Sequence, residues 1–349
     1  MQTTLFLHGC WTVLLLFVLE LTDEDILELR LISPDAAVLT SIENSDTDTA
    51  SECELEDLAA HPELPDPLTA LYDPTLKQQI PPDIRDRCQE AFHKIKRSIH
   101  TGQCERLTAI TKEQSASPSW HIHRAGRITS TTFYNTSKSG HVDRTTLHKI
   151  MGYTDNNIQV PAVVWGRENE KIGRQHYINY ISKRHNNVTV DITGFVVRPD
   201  EPHLGTSPDG TVSCSCCGDG VLEIKCPYRY REGLRGAHLS EDFCLDQRMQ
   251  LKKKHQYYHQ VQLHMFVSNV NYCDFIVWTT KELIINRIQR DEQLLQEALV
   301  VAKESFLSCI LPELITRSQD PALRQQRFCS LCEKPEFGKM IDCTMCEKV

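Results

Sequence analysis

The sequence predicts a mixed α/β domain over residues 82–316, because its hydrophobic period changes along the chain. Helical patterns come first, a cluster of alternating segments with one embedded helical segment follows, and an amphipathic helix closes the domain. An apolar content of 40% and a charged content of 24% are typical of a globular protein. At 349 residues the chain has room for one large domain with additions, or for two ordinary domains.

The first half of this domain is predicted to be mainly helical. A helical pattern appears in RDRCQEAFHKIKRSIH, residues 85–100. We expect WHIHRAGRITSTTFY, residues 120–134, to be a loop that enters a helix with Thr or Ser as its cap. A long helix is predicted over residues 161–182, and no internal repeat is present.

The second half contains the predicted strands. In VTVDITGFVVRPD, residues 188–200, apolar and polar residues alternate as in a β-strand. Residues 205–228 are predicted to form two strands around a turn rich in Gly and Cys. A helix is predicted over residues 255–268. The remaining predicted elements are strands at 274–280 and 283–289 and an amphipathic helix at 291–310.

Acidic residues are concentrated near the start of the chain. Residues 20–64 hold fourteen Asp and Glu against one Arg, a local net charge of −13. Since the whole chain carries −9, the remainder carries +4, and this mildly basic body does not argue against a nucleic-acid partner. Residues 22–82 are rich in Asp, Glu, Ser, Thr and Pro. Residues 1–81 therefore predict an apolar start followed by a largely disordered leader.

The apolar start, MQTTLFLHGCWTVLLLFVLE, resembles a signal peptide only superficially, because it lacks a positive n-region and a clear cleavage site. It is also short for a membrane span. We expect a buried segment or an artefactual start rather than a secretion signal or an anchor. Fifteen cysteines in a chain of this length favour a nuclear or cytoplasmic compartment with some metal-bound thiols.

A Ser-Pro-Asp-Gly turn carries Asp209, and Glu-Ile-Lys follows on the next predicted strand. On a strand, Glu223 and Lys225 project from one face and Ile224 from the other. Two adjacent carboxylates repel each other unless a cation neutralises them, and oxygen ligands select Mg²⁺ or Mn²⁺. The spacing therefore indicates a phosphodiester-cleaving metal site. An acidic turn followed by a surface strand explains this short pattern equally well.

Two helices add candidate groups. On the helix at 161–182, Glu170 is predicted to point inward, either as a third metal ligand or as a buried ion pair with Arg174. The positions that share its face at helical spacing are Val163, Gly166, Gly173, Tyr177 and Ile181. On the helix at 255–268, Tyr257, Gln260 and His264 share a face. Gln260 is either a ligand of phosphate or water, or an ordinary polar core residue.

Five ordered segments together resemble the lambda-exonuclease/YqaJ viral recombinase family of the PD-(D/E)xK nuclease superfamily, over residues 115–300. The segments are WHIHRAGRITSTTF, WGRENE, GTSPDG, LEIKCP and YYHQVQLHMFV. The resemblance implies a restriction-endonuclease-like core, in which helices flank a central mixed sheet. It also implies Mg²⁺-dependent (or Mn²⁺-dependent) degradation of linear double-stranded DNA from 5′ ends, within a ring-shaped homo-oligomer, in recombination or repair.

The resemblance also implies a role for each matching residue. Asp209 and Glu223 would bind the metal with help from the Ile224 carbonyl, and Glu170 would complete the site. Lys225 would be the catalytic lysine. Gln260 and Tyr257 match the family's helix behind the site, Arg124 matches the arginine that engages the terminal 5′ phosphate, and Thr131 stands where the bacteriophage enzyme has a phosphate-contacting Ser.

Two alternative functions and the role of one basic segment remain open from the sequence. The same metal centre suits an endonuclease, and a domesticated DNA- or chromatin-binding protein would not need catalysis. The basic run at residues 252–254 either contacts backbone phosphates or is a solvated start of a helix.

Cysteines form two further groups. The C-terminal segment 327–349 pairs Cys329 with Cys332 and Cys343 with Cys346, a spacing that predicts a Zn²⁺ site. Its KPEFGKMIDC stretch resembles the beginning of a PHD finger, which we expect to be truncated; an iron–sulfur cluster is a minor alternative. Cys214, Cys216 and Cys217 are predicted to be turn thiols only, because C-x-C-C is a poor zinc spacing and no fourth ligand is obvious.

Overall fold

The computed structural model describes residues 64–76, 84–154 and 160–324. The chain divides into two compact units, Met1–His61 and Pro62–Val349, and all described residues belong to the second. Most of the predicted acidic leader lies outside the described residues, and so do the predicted zinc ligands of the C-terminal segment, Cys329, Cys332, Cys343 and Cys346.

The described residues contain a mixed sheet of five strands in the order β2-β5-β6-β7-β8 and a smaller sheet in the order β1-β4-β3. In the larger sheet β6 and β7 are parallel, and every other neighbouring pair is antiparallel. The strands are β1 Ile128–Thr129, β2 Thr189–Asp191, β3 Val196–Val197, β4 Leu204–Thr206, β5 Gly210–Cys214, β6 Gly218–Lys225, β7 Tyr272–Trp278 and β8 Leu283–Gln289.

Helices precede, interrupt and follow these strands. The α-helices of the described residues are α1 Arg85–Ser98, α2 Thr101–Ile110, α3 Pro118–Arg124, α4 Ser130–Thr136, α5 Arg144–Met151, α6 Pro161–Ile181, α7 Gln256–Val267, α8 Glu292–Ser305, α9 Leu311–Thr316 and α10 Pro321–Arg324. A π-helix, Phe306–Ile310, joins α8 to α9. None of the helices in these ranges is long and apolar enough to cross a membrane.

The larger sheet lies between α6 and α7. Tyr177 of α6 packs with Leu222 and Ile224 on one face, whereas Val261 of α7 packs with Val221 on the other. This division follows from strand geometry, because successive side chains of β6 point to opposite faces. The prediction of a central mixed sheet flanked by helices is confirmed.

A second core unites the helices that surround the sheet. Phe92 of α1, Phe133 of α4 and Phe306 pack there together with Leu68. The backbone N–H of Asp73 donates a hydrogen bond to the Ile315 carbonyl at 2.9 Å. Residues 64–76, assigned from composition to the disordered leader, therefore pack against this core, because burial of Leu68 outweighs the polar character of the segment.

Two segments differ from the local predictions. Trp120–Arg124 is helical within α3, which begins with Pro118 at its first position, so only the residues after it form the expected loop into α4. The alternating segment 188–200 splits into β2 and β3, which belong to different sheets. The split occurs at Gly194, where an added Cβ would overlap the Thr108 carbonyl oxygen of α2.

His203 is a buried imidazole between two aromatic rings. Its side chain is 2% exposed, and its ring lies 5.8 Å from that of Phe92 and 5.1 Å from that of Phe306. Burial, followed by the positive charges of Lys303, Lys96 and Arg127, lowers the pKa of His203 to about 3. The Glu201 carboxylate approaches its Nδ1 at 3.5 Å. The imidazole is therefore neutral in the folded protein at ordinary pH.

Replacing His203 with Phe should flatten the acid dependence of stability. An unfolded His titrates near a pKa of about 6.5. The stabilising contribution of His203 is therefore fully present above that pH and is lost as the pH falls towards about 3. Between about pH 6 and pH 4 the free energy of unfolding should fall more steeply in the wild type than in His203→Phe, by about 1.4 kcal/mol per pH unit.

Urea denaturation at a series of pH values measures this difference. His141→Phe, at an exposed position, controls for the added phenyl ring. Parallel pH profiles of the wild type and His203→Phe would contradict the neutral buried imidazole.

Candidate active site

The β5–β6 hairpin brings the two predicted carboxylates of the SPDG turn and the Glu-Ile-Lys strand together. Gly210 pairs with Leu222 across the hairpin, and the Asp209 N–H donates to the Leu222 carbonyl at 3.1 Å. The Ile224 N–H in turn donates to Asp209 Oδ2 at 2.6 Å. Asp209 therefore lies at the mouth of β5 beside Glu223, as the sequence pattern predicts.

Glu223 is a buried carboxylate, only 2% exposed. Its Oε1 accepts hydrogen bonds from Lys225 Nζ and from Gln260 Nε2, the latter at 2.5 Å. Its Oε2 lies 2.9 Å from His264 Nε2. The strand thus places Glu223 and Lys225 on the face covered by α7 and Ile224 on the opposite face. This arrangement confirms the expected alternation.

The charges of this cluster compensate one another. Burial by itself would raise the pKa of Glu223, but the Lys225 ammonium and His264 outweigh it and lower the pKa to about 2. Burial likewise opposes the charged form of Lys225, yet Glu223 raises the pKa of that ammonium above its ordinary value. Lys225 Nζ also lies 4.5 Å from the ring centre of Tyr257, within cation–π range. Glu223 and Lys225 therefore form a charged pair at neutral pH.

Asp209 and Glu170 share the electrostatic environment of Glu223. Burial, then the charges of Glu223 and Glu170, raise the pKa of Asp209 well above its usual value. Burial also raises the pKa of Glu170, where Arg174 partly offsets the effect and Glu223 adds to it. Glu170 Oε1 lies 2.5 Å from Arg174 Nη2, so the ion pair considered as an alternative for this residue is present. The local excess of negative charge would be relieved by a cation.

The donor set fits a hard divalent cation. Glu223 Oε2 is buried and has no hydrogen-bond partner, because His264 Nε2 approaches it outside hydrogen-bond geometry. Carboxylate oxygens are the ligands that Mg²⁺ and Mn²⁺ prefer. In the part of the chain that the structure describes, the carboxylates of Glu170, Asp209 and Glu223 are not converged on one point. Arg174 pairs with Glu170, and Lys225 pairs with Glu223.

The inward face of α6 differs from the prediction in its N-terminal half. Gly173, Tyr177 and Ile181 are buried as expected, but Val163 is 47% exposed. A Cβ at Gly166 would meet nothing within 4 Å, whereas one at Gly173 would meet Ile224 Cγ2 at 3.1 Å. The helix therefore packs on the sheet from Gly173 onward, and Glu170 lies at the rim of that contact.

His264 belongs to the site, although the sequence pattern predicted only that it shares a helix face with Gln260 and assigned it no role. It is completely buried, and its Nδ1 is hydrogen-bonded to the Thr206 hydroxyl. Its Nε2 lies 3.5 Å from Gln260 Nε2 as well as beside Glu223. Its spacing of four residues from Gln260 could have identified it as a site residue, because residues at that spacing are neighbours on a helix.

Two of the predicted phosphate-binding residues are Arg124, at the end of α3, and Thr131, at the start of α4. Arg124 lies over the Trp120 ring, 3.9 Å from its centre, and Trp120 Nε1 donates to Ser207 Oγ at 2.9 Å. Burial lowers the pKa of Arg124 to about 10, so the guanidinium remains charged at neutral pH. The Trp–Arg pair is thereby joined to the turn that carries Asp209. Thr131 is exposed in the first turn of α4.

Two further predicted contacts have partners within the protein. Tyr257, expected to contact phosphate, packs its ring against the Lys225 ammonium. In the basic run, Lys252 Nζ donates to the Glu241 carbonyl at 3.1 Å, and Lys253 pairs with Asp291 at 3.3 Å. Two of the three lysines are therefore engaged inside the molecule.

A central mixed sheet with an acidic turn and a Glu-x-Lys strand is the arrangement of the PD-(D/E)xK nuclease class. Residues 119–271 match the family model of the YqaJ-like viral recombinase domain. This match over part of the chain agrees with the resemblance of its motifs to that family. Every predicted residue of the nuclease site, from Arg124 to Gln260, lies within the matched span.

Solved structures show distant likenesses. An alkaline exonuclease from Laribacter hongkongensis is 22% identical, with 57% of this chain and 94% of that chain covered and a TM-score of 0.42. The Shutoff and Exonuclease Protein of Kaposi's sarcoma-associated herpesvirus is 13% identical, with coverages of 63% and 75% and a TM-score of 0.41. A SOX–DNA complex is also 13% identical, with coverages of 66% and 79% and a TM-score of 0.44. No curated protein matches the chain significantly.

Alanine substitutions at the two glycines of α6 should have opposite effects on stability. Gly173→Ala should destabilise the fold by about 1–3 kcal/mol, because the new methyl group presses on Ile224 and on the Cβ of Trp278. Gly166→Ala meets open space and should stabilise the helix by about 0.5–1 kcal/mol. Chemical denaturation of both variants measures the two changes. Equal effects at both positions would contradict the close contact of α6 with the sheet at Gly173.

Proposed function

We propose that this protein is a metal-dependent deoxyribonuclease, an exonuclease that resects linear double-stranded DNA from 5′ ends. The observation that carries the proposal is the buried Glu223 carboxylate, held by Lys225, Gln260 and His264 beside Asp209. An ionised carboxylate is expensive to bury, so such a constellation is a functional-site candidate. The match to a viral recombinase domain over the same residues supports it.

Asp209, Glu223 and Glu170, with the Ile224 carbonyl, are the proposed ligands of Mg²⁺ or Mn²⁺. When bound, the cation supplies polarisation of the scissile phosphate and acidifies the attacking water. The raised pKa values of Asp209 and Glu170 reflect burial first and then repulsion by Glu223, which a positive charge would relieve. Arg174 neutralises Glu170 in the absence of such a charge.

Lys225 is the proposed catalytic lysine. Its ammonium is held at the site by Glu223 and by the Tyr257 ring. From there it can hold the attacking water or stabilise the negative charge that develops on the phosphate. Gln260 orients Glu223 from α7 through its hydrogen bond, and His264, whose ring is fixed by the Thr206 hydroxyl, lies beside the carboxylate.

Recognition of the DNA end is proposed for Arg124, Thr131 and Tyr257. A guanidinium forms strong, often bidentate hydrogen bonds to a terminal phosphate. The contact of Trp120 with Ser207 supports this role, because it couples the position of Arg124 to the turn before Asp209. Thr131 is exposed, and its hydroxyl contacts that of Thr129 at 3.1 Å.

The remaining assignments are proposals about the whole protein. They comprise action in recombination or repair, a homo-oligomeric assembly, recombination or chromatin partners, and a nuclear or cytoplasmic location. The C-terminal Cys329, Cys332, Cys343 and Cys346 are proposed to bind Zn²⁺. Residues 1–81 and 327–349 are proposed to flank a nuclease domain at 82–316.

Cleavage of linear duplex DNA with a 5′ phosphate tests the proposed activity. The wild type should shorten it from the end in the presence of Mg²⁺ or Mn²⁺, and Lys225→Ala should be slower by about a hundredfold or more. Lys183→Ala, at an exposed position, is the matched control and should retain full activity. Thermal unfolding of each variant verifies that it is folded.

Two outcomes would overturn this proposal. Nicking of covalently closed circles would identify an endonuclease with the same site. Binding of DNA without metal-dependent cleavage would identify a DNA-binding protein.

The end-recognition assignment is tested with substrates that carry a 5′ phosphate or a 5′ hydroxyl. Arg124→Gln should slow digestion of the phosphorylated substrate by about tenfold or more, because a hydrogen bond to a charged group contributes about 1.5–3 kcal/mol. It should leave digestion from the hydroxyl end nearly unchanged. Arg97→Gln, at an exposed position of α1, controls for loss of positive charge. Equal slowing on both substrates would exclude the assignment.

A further inference from the structure

Three thiols and one imidazole converge at the end of the β5–β6 hairpin that lies away from Asp209. The four side chains are those of His185, Cys214, Cys216 and Cys217, and their ligand atoms all lie within 4.8 Å of one another. Within the described residues, this is the one group of His, Cys, Asp and Glu side chains that is converged in this way. The proposed nuclease site uses none of them.

The distances within the cluster are close to those of a tetrahedral zinc site. His185 Nδ1 lies 3.1 Å from Cys216 Sγ, 3.3 Å from Cys217 Sγ and 3.7 Å from Cys214 Sγ. Cys216 Sγ lies 3.5 Å from Cys214 Sγ and 3.9 Å from Cys217 Sγ. Zinc bonds of about 2.3 Å to sulfur and about 2.0–2.1 Å to nitrogen separate tetrahedral ligands by about 3.5–3.8 Å. The observed separations scatter around that range.

A disulfide does not explain the cluster. The three cysteines are free, and the sulfur separations of 3.5 and 3.9 Å far exceed an S–S bond of about 2.05 Å. The fourth ligand is supplied by a residue 29 positions before Cys214, beyond the reach of any local spacing rule. The sequence offered no obvious fourth ligand, and the structure places the His185 imidazole beside the three thiols.

Backbone contacts hold the two loops of the cluster together. The His185 N–H donates to the Ile181 carbonyl at 3.0 Å, which anchors the imidazole to the end of α6. The Ser215 N–H donates to the Asn186 carbonyl at 3.0 Å, and the Asn187 side chain donates to the Ser215 hydroxyl at 3.0 Å. The ligand residues are thus pre-arranged by contacts that do not involve their ligand atoms.

We propose that His185, Cys214, Cys216 and Cys217 form a structural Zn²⁺ site. Thiolates and an imidazole select zinc over Mg²⁺, and four protein ligands leave no position for a substrate. The site is distinct from the acidic centre and from the C-terminal cysteine pairs, and it does not depend on the proposed nuclease activity.

The zinc site would join the helix that carries Glu170 to the hairpin that carries Asp209 and Glu223. His185 follows the end of α6, and the cysteines lie at the turn of the β5–β6 hairpin. The pairs Cys214↔Gly218 and Gly210↔Leu222 mark opposite ends of that hairpin, which are about 13 Å apart at about 3.3 Å per residue. The zinc site would thus hold α6, which carries Glu170, at a fixed distance from the hairpin that carries Asp209 and Glu223.

Zinc content of the full-length protein tests the site without reference to DNA cleavage. A double replacement of Cys343 and Cys346 with Ser removes the other predicted zinc site and serves as the parent. Adding Cys217→Ser, at an exposed position, should lower the zinc content of that parent by about one equivalent per chain after dialysis against a chelator. Cys309→Ser, at a thiol outside the cluster, should leave the zinc content unchanged.

X-ray absorption at the zinc edge of the same parent supplies an independent readout that does not require a variant of the cluster. Three sulfur neighbours at about 2.3 Å and one nitrogen at about 2.0–2.1 Å are expected. Unchanged zinc content in Cys217→Ser, or a zinc shell without sulfur in the parent, would overturn the proposal. A loss of zinc without loss of nuclease activity would still support the site.

Discussion

The buried negative charge of Glu223 is the constraint on which the arrangement of the sheet and of α7 depends. A carboxylate removed from water carries a desolvation penalty of several kcal/mol, and an unpaired one would not stay ionised. Lys225 on the same strand, together with Gln260 and His264 on α7, compensates it. This requirement explains why α7 buries the Gln260 amide and the His264 imidazole, whereas its other buried amide, Gln262, hydrogen-bonds to the backbone of Gln289 and Asp291.

The opposite face of the sheet solves the same problem with different groups. Asp274 of β7 is 1% exposed and accepts hydrogen bonds from Tyr177 of α6 at 2.6 Å and from Arg287 of β8 at 2.8 Å. Each flanking helix therefore satisfies one buried carboxylate of the sheet. Because a hydrogen bond is directional, these contacts also set the rotation of each helix about its own axis. Apolar packing alone would define that rotation less sharply.

The hairpin of β5 and β6 has chemically different ends. Oxygen donors gather near Asp209 and Glu223, whereas sulfur and imidazole donors gather beyond Cys214. Hard cations prefer the first set and zinc prefers the second, so the two proposed metals would sort by ligand type. The helix α6 contributes to both ends, through Glu170 in its middle and His185 after its last turn.

Local periodicity in the sequence determined which residues share a face. The period of two on β6 predicted that Glu223 and Lys225 would lie together, and the helical period put Gln260 beside His264. Tertiary packing decided which of these faces meet. It buried Leu68, exposed Val163, and brought His185 to the cysteines 29 or more positions later in the chain. These contacts escaped prediction because side-chain period describes neighbours along one element, whereas the meeting of distant segments depends on how all the elements pack at once.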